Sequence, residues 1–242
     1  MSFLRQRVQG AAIGVAVADD PAALKTFLAP GCAAAIWRRQ TPRAVQGWLD
    51  TIDPDSLPCG RVILPRSAVA QTVSHLCNIS GLLEGSERSW LCDDIAFLAE
   101  MFADLMQAQY LRLRLEAVTS NACRKFHIDV IKARLVCTYR GTGTQYGIST
   151  DGSDPRRVFT VQTGAPILLR GTLWPAQPAS GLLHRSPPIL GKPACATNAV
   201  RAIRWRPLTA CLRPCGSGCR KPRCPGRRNQ RAASGHGIKP MA

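Results

Sequence analysis

The residues best equipped for chemistry stand in Cys123-Arg-Lys-Phe-His-Ile-Asp129 and in Gly181-Leu-Leu-His-Arg-Ser-Pro-Pro188, with His184 placed 55 positions after Asp129. Side chains two apart on a strand project to one face, so His127 and Asp129 offer an imidazole and a carboxylate to the same point. His184, on a later strand, would complete a two-histidine, one-carboxylate facial triad. That donor set holds Fe(II) and leaves coordination positions open for oxygen and substrate. The chain has four histidines. His75 falls on an expected helix face and His236 in the tail, which leaves His127 and His184 as the natural pair. Both sit in polar surroundings, Arg124-Lys125 and Arg185-Ser186, where a buried charge requires a partner.

Around this metal set, Arg134, Tyr139 and Arg185 are the expected catalytic residues. The two arginines bind a carboxylate-bearing co-substrate through their forked donors, and the tyrosine hydroxyl completes the clamp. The leading expectation is therefore a non-haem Fe(II)-dependent oxygenase-like enzyme acting on a small molecule. A second expectation is a non-catalytic zinc-binding protein of metal homeostasis. It would use the same three side chains plus Cys123 or Cys137 in a closed tetrahedral site. The third and weakest is a nucleic-acid binder driven by the basic tail. There, Cys211-x3-Cys215-x3-Cys219-x4-Cys224 lacks the Cys-x2-Cys spacing and the interleaved aromatics that a zinc knuckle needs. Gly141-Thr-Gly143-Thr is too short for a phosphate loop and reads as a hairpin turn.

The elements that must position these residues change type along the chain. Asp20-Pro21 and Thr41-Pro42 are cap-and-proline signals that open helices through about residue 28 and residue 52, with a strand over 33–38 between them. Helical spacing recurs over 68–83 and 87–109, where Trp90, Ile95, Leu98, Met101, Phe102 and Leu105 form one apolar stripe. Residues 110–118 then alternate apolar with charged, as a half-buried strand does. Further strands are expected over 126–130, 133–139, 158–161, 166–169 and 181–184, with a loop over 140–145. The expected fold is α+β. Helices in 1–109 precede a small antiparallel barrel or jelly roll, double-stranded β-helix-like, in 110–190.

Charge separates the last part of the chain from the rest. The net charge is +17, yet residues 191–242 hold 12 of the 32 Lys and Arg and none of the 15 Asp and Glu, leaving +5 on the first 190. The tail has neither helical nor strand periodicity and is expected to be disordered. Six cysteines scattered through residues 1–190 suggest no disulfide framework and fit a reducing, cytoplasmic setting. Arg5 and Arg7 before the weakly apolar run 11–18 make a poor signal peptide, and no run approaches the length that spans a bilayer.

Ile36-Trp-Arg-Arg39, Arg112-Leu-Arg-Leu115, Asn121-Ala-Cys-Arg-Lys-Phe-His-Ile-Asp129, Arg134-Leu-Val-Cys-Thr-Tyr-Arg-Gly-Thr-Gly-Thr144 and His184-Arg-Ser-Pro-Pro188 resemble an uncharacterised bacterial family, the domain-of-unknown-function 1826 family, over about residues 20–190. The resemblance implies that His127, Asp129 and His184 share one site. It also implies a link to zinc-handling GTPases, near whose genes the family is often found. It stops after Ile189. Similar members continue with a Gly-rich turn, an acidic residue, an Arg and a closing apolar strand, where this chain reads Leu190-Gly-Lys-Pro-Ala-Cys. The expectation is that 191–242 arise from a shifted reading frame and that the missing strand exposes a sheet edge. In oxygenases that use 2-oxoglutarate, the arginine for its distal carboxylate usually follows the second histidine. Here that arginine has no assigned position, so 2-oxoglutarate is a candidate co-substrate without that support.

Overall fold

A computed structural model describes residues 9–118, 124–188 and 199–202. The chain divides into two units, Met1–Thr209 and Ala210–Ala242, and every described residue belongs to the first. Its strands are β1 (Gly14–Ala18), β2 (Cys32–Trp37), β3 (Gly60–Pro65), β4 (Tyr110–Val118), β5 (Ala133–Thr138), β6 (Gln145–Ile148), β7 (Phe159–Thr160), β8 (Pro166–Arg170), β9 (Leu182–Arg185) and β10 (Ala199–Ala202). The α-helices are α1 (Arg43–Thr51), α2 (Val69–Ile79) and α3 (Ser86–Met106), with short 3-10 turns at Pro21–Leu28, Pro54–Ser56 and Arg66–Ala68.

Seven strands form one sheet in the order β1-β2-β8-β5-β10-β4-β3, and three form a smaller one in the order β7-β6-β9. Among the described residues neither sheet closes into a barrel. The strand alternation explains the layering. Leu111, Leu113 and Leu115 of β4, Ala133, Leu135 and Cys137 of β5, and Leu168 of β8 pack with Leu49, Val73, Leu91, Ile95, Leu98 and Phe102 of the helices. The alternate residues, Ala34 and Ile36 of β2, Val136 of β5, and Ile167 and Leu169 of β8, face the other way. They meet Leu182 of β9, with Tyr146 and Ile148 of β6 against them. Helices cover one face of the large sheet and the small sheet covers the other, which is what period-two patterning on a two-sided sheet requires.

The long helix α3 follows its apolar stripe and ends where Gln107 turns left-handed, φ 49°, with its N–H directed to the carbonyls of Ala103 and Asp104. Asp20 caps the Pro21–Leu28 segment by accepting from the Ala22 N–H, but the segment winds as a 3-10 helix closed by Ala29 N–H to Thr26 O. At the expected turn, Gly141 is left-handed at φ 77°. A Cβ on Gly143 would stand 2.0 Å from the Val161 carbonyl, so only glycine permits that approach.

Three expectations are corrected. Beyond the expected strand over 33–38, found as β2, the amino-terminal part contributes β1 and β3, and all three join the large sheet. The strand expected over 126–130 is a single antiparallel bridge, His127 to His184. Immediately after it, the Asp129 carbonyl accepts from the Ile131 and Thr172 N–H groups, which turns the chain before a ladder can extend. Finally, the tail contributes a strand. Residues 199–202 pair antiparallel with both β4 and β5 and cover the edge expected to be exposed. Ladder hydrogen bonds use backbone alone, so a four-residue strand can form without any sequence period. The rest of 191–242, with its cysteines, lies outside the described residues. Among the described residues no helix is long and apolar enough to cross a membrane.

Candidate metal centre

The bridge between His127 and His184 is reciprocal, with His127 N–H to His184 O at 3.0 Å and His184 N–H to His127 O at 2.9 Å. It fixes two imidazoles from distant segments side by side, their ring centres 4.5 Å apart. His184 shares its face of β9 with Leu182, which points into the core between the sheets, so His184 points there too. Asp129, two residues after His127, completes the group. One ligand atom from each of His127, Asp129 and His184 falls within 4.8 Å of the others. His184 Nε2 lies 3.2 Å from Asp129 Oδ2, and His127 Nε2 lies 3.8 Å from Oδ1.

Proton positions follow from the neighbours. The Lys125 carbonyl, 2.9 Å from His127 Nδ1, can only accept, so Nδ1 carries the hydrogen toward it and Nε2 faces Asp129. Burial drives His184 down to about 4, against the pull of Asp129, so at neutral pH its imidazole is neutral. For Asp129, burial works to raise the carboxyl. The contact with His184 at 3.2 Å, then those with Arg134 and His127, outweigh burial and hold it well below the usual carboxylate range. A neutral His184 beside an ionised Asp129 is what a divalent cation needs of those two ligands. Asp129 Oδ2 is buried with no hydrogen-bond donor. The Arg134 guanidinium stands 2.7 Å away as an ion pair, out of line for a hydrogen bond. An anionic oxygen left in that condition fits a cation.

Arg134 reaches the triad because it alternates with Ala133 and Leu135, which face the helices. Its Nη1 is also 3.5 Å from His184 Nε2, and the residue is 7% exposed. The structure does not bring the other two clamp residues there. Tyr139 is five positions from Arg134, an odd step that sends it to the helical face. There its hydroxyl donates to Asp94 Oδ2. Asp94 in turn receives both arms of Arg39, one at 2.7 Å. Burial pushes the Tyr139 hydroxyl well up, which suits a donor and not a clamp. Arg185, adjacent to His184, points off the opposite face of β9. Its Nε donates to Gln145 Oε1 at 2.8 Å and its guanidinium lies over Phe126 at 4.2 Å.

Cys137 also faces the helices. Its thiol donates to the Gly164 carbonyl at 3.4 Å, and burial pushes it up to about 12. It therefore cannot close a thiolate zinc site with the triad, and Cys123 lies outside the described residues. The buried Arg39–Asp94–Tyr139 cluster was not anticipated as a unit. Its signal was a carboxylate at position 94 inside the apolar stripe of α3, beside Leu91, Ile95 and Leu98. Replacing Tyr139 with phenylalanine is expected to cost about 1.5–3 kcal/mol, the range for a hydrogen bond to a charged group, and to leave metal uptake unchanged. Denaturant unfolding and metal titration of the same variant check both halves.

The fold and the triad define a mixed α and β chain with, among the described residues, a metal-competent group of side chains between its sheets. Comparison with protein families matches residues 18–194 to the family described as "Protein of unknown function (DUF1826)", and the chain belongs to that family. No curated protein matches the chain. Among solved structures, it is similar to the dioxygenase for auxin oxidation 1 from Arabidopsis thaliana in its 2-oxoglutarate binary complex, at 11% identity, covering 81% of this chain and 92% of that one, TM-score 0.44. It is also similar to a bsmA homolog from Methylobium petroleophilum PM1, at 12% identity, 81% and 97% coverage, TM-score 0.39. A third is a Pseudomonas putida prolyl-4-hydroxylase, at 12% identity, 70% and 94% coverage, TM-score 0.31.

Proposed function

We propose that the chain is a non-haem Fe(II)-dependent, oxygenase-like enzyme whose metal is held by His127, Asp129 and His184. One observation carries this reading: two imidazoles and an ionised carboxylate converge within ligand distance of one another, with no fourth His, Cys, Asp or Glu joining them among the described residues. Bound there, Fe(II) supplies oxygen activation at the positions that three protein ligands leave open.

The chain's own residues set up that centre. Lys125 orients His127 through its carbonyl, the backbone bridge fixes the two histidines against each other, and His184 together with Arg134 holds Asp129 ionised. Arg134 is already paired with Asp129, so we assign it that holding role. A co-substrate carboxylate would need another cation. This is why 2-oxoglutarate enters the reading as a ligand to be titrated, and the substrate is a small molecule of undefined class.

The test is anaerobic titration of the metal-stripped protein with Fe(II), then with Zn(II), followed by addition of 2-oxoglutarate. The expected result is one Fe(II) per chain, lost in His127→Ala, with water or oxoacid exchangeable on the metal. Uptake unchanged in His127→Ala overturns the site. Tight zinc with thiolate-to-metal absorption overturns the open-site reading.

A further inference from the structure

Cys77 and Cys92 face each other across the α2–α3 hairpin with their sulfurs 3.9 Å apart. They lie in the helical layer, on the other face of the large sheet from the triad. Cys77 is fully buried and Cys92 is half-buried, so Cys92 is the more accessible residue of the two. Arg88, one turn before Cys92 on α3, is itself buried and pinned between the helices. It donates to the Leu82 carbonyl at 2.7 Å, to the Ser74 carbonyl at 3.4 Å and to the Asn78 side chain. Its partners are two carbonyls and an amide, with no carboxylate among them. The hydrogen bond from Cys77 and, against the effect of burial, the Arg88 charge bring the Cys92 thiol down to about 7. The same contact raises Cys77. Cys92 is therefore the sulfur that ionises first, and thiolate is the form that attacks.

The geometry points to Cys77 and Cys92 as a dithiol oxidation site that reduces a hydroperoxide and links α2 to α3 by a disulfide. The Cys92 thiolate attacks the terminal peroxide oxygen and the O–O bond breaks. Cys92 is left as a sulfenic acid, and the departing oxide takes up a proton as water, or as an alcohol from an organic hydroperoxide. The Cys77 sulfur then attacks the Cys92 sulfur, the S–O bond breaks, and hydroxide leaves with the Cys77 proton as water. Two thiols have lost two hydrogens and the peroxide has gained two electrons, so the step balances with the hydroperoxide as sole oxidant. The sulfurs close from 3.9 Å to about 2.05 Å in the bond. The buried partner acts as the resolving thiol, which stops Cys92 short of irreversible oxidation.

Tryptic peptide mapping tests this on the full-length chain. Peptides 67–88 and 89–112 carry one cysteine each, Cys77 and Cys92. After stoichiometric hydrogen peroxide and alkylation of remaining thiols, the two peptides are expected joined, their alkylated forms lost, and both restored by dithiothreitol. In Cys92→Ser, Cys77 is expected to stay alkylatable under the same peroxide. Three outcomes overturn the assignment: both cysteines still alkylated after peroxide, Cys92 recovered as sulfinic acid with Cys77 untouched, or Cys77 linked to a different cysteine. The map of the unmutated chain decides the matter even where a variant folds poorly.

Discussion

Replacing Asp129 with alanine is expected to abolish metal uptake and to cost about 3–5 kcal/mol of folding stability, the range for breaking a buried ion pair from one side. The size follows from what is left behind. Arg134 is 7% exposed, its Nη1 lies 2.7 Å from Asp129 Oδ2, and it faces a layer lined by Val136, Ile167, Leu169 and Leu182. Without the carboxylate, a guanidinium stays buried next to two imidazoles, one of which is already driven to neutrality by burial. The double variant Asp129→Ala with Arg134→Met separates the two losses. Removing both charges of a buried pair is far less costly than removing one, so stability is expected to return while metal uptake stays absent. Urea unfolding of the metal-free single and double variants, beside Fe(II) titration of each, reads both effects. A single variant as stable as the parent would mean that Arg134 does not depend on Asp129, and a double variant that still binds metal would remove Asp129 from the ligand set.

The same residues show how far a sequence carries this argument. His127 and Asp129 were legible because same-face projection at a two-residue step needs only locally extended backbone, and that survived even though the segment is a bridge and not a strand. His184 was legible because so few histidines were left to pair with His127. Parity also explains the misreading. Tyr139 and Cys137 are odd steps from Arg134, and Arg185 is one step from His184, so each was bound to leave the face that holds the triad. Only knowing which face of β5 and β9 looks inward reveals this, and that is a tertiary fact. The missed strands fail for a related reason. β1 is an edge strand of small residues, Gly14-Val-Ala-Val-Ala18, with no large alternating side chain. β3 exposes Ile63 at its centre, which breaks the apolar–polar rhythm. β10 is specified by two neighbouring strands and not by its own composition.

The turn after β8 carries the second large expectation, because it positions Asp129 through its backbone and not through its carboxylate. Gly171 N–H donates to Lys132 O at 2.9 Å, Thr172 N–H to Asp129 O at 2.9 Å and Leu173 N–H to Ile131 O at 3.0 Å. These bonds hold the Asp129–Lys132 backbone against the end of β8. A Cβ on Gly171 would stand 2.1 Å from the Ile131 carbonyl and 2.6 Å from that of Asp129, so one side must move by about 1 Å to restore van der Waals contact. The β8 side is anchored. Arg170 Nη2 donates to Phe27 O and Ala29 O at 2.7 and 2.8 Å, and its guanidinium stacks 4.3 Å over Trp174. The Asp129 side therefore yields, carrying the carboxylate away from His127 and His184. Metal geometry tolerates only about 0.2 Å, and loss of a group that orients a ligand typically lowers affinity about 10–100-fold. Gly171→Ala is expected to fall in that range, with its far-ultraviolet circular dichroism unchanged. Gly47→Ala is the matched control. It adds the same methyl in α1, where nothing lies within 4 Å, and is expected to leave metal affinity unchanged while raising stability by about 0.5–1 kcal/mol. Equal Fe(II) affinity in both glycine variants would show that Asp129 is placed by its own segment, and the turn after β8 would lose the positioning role assigned to it.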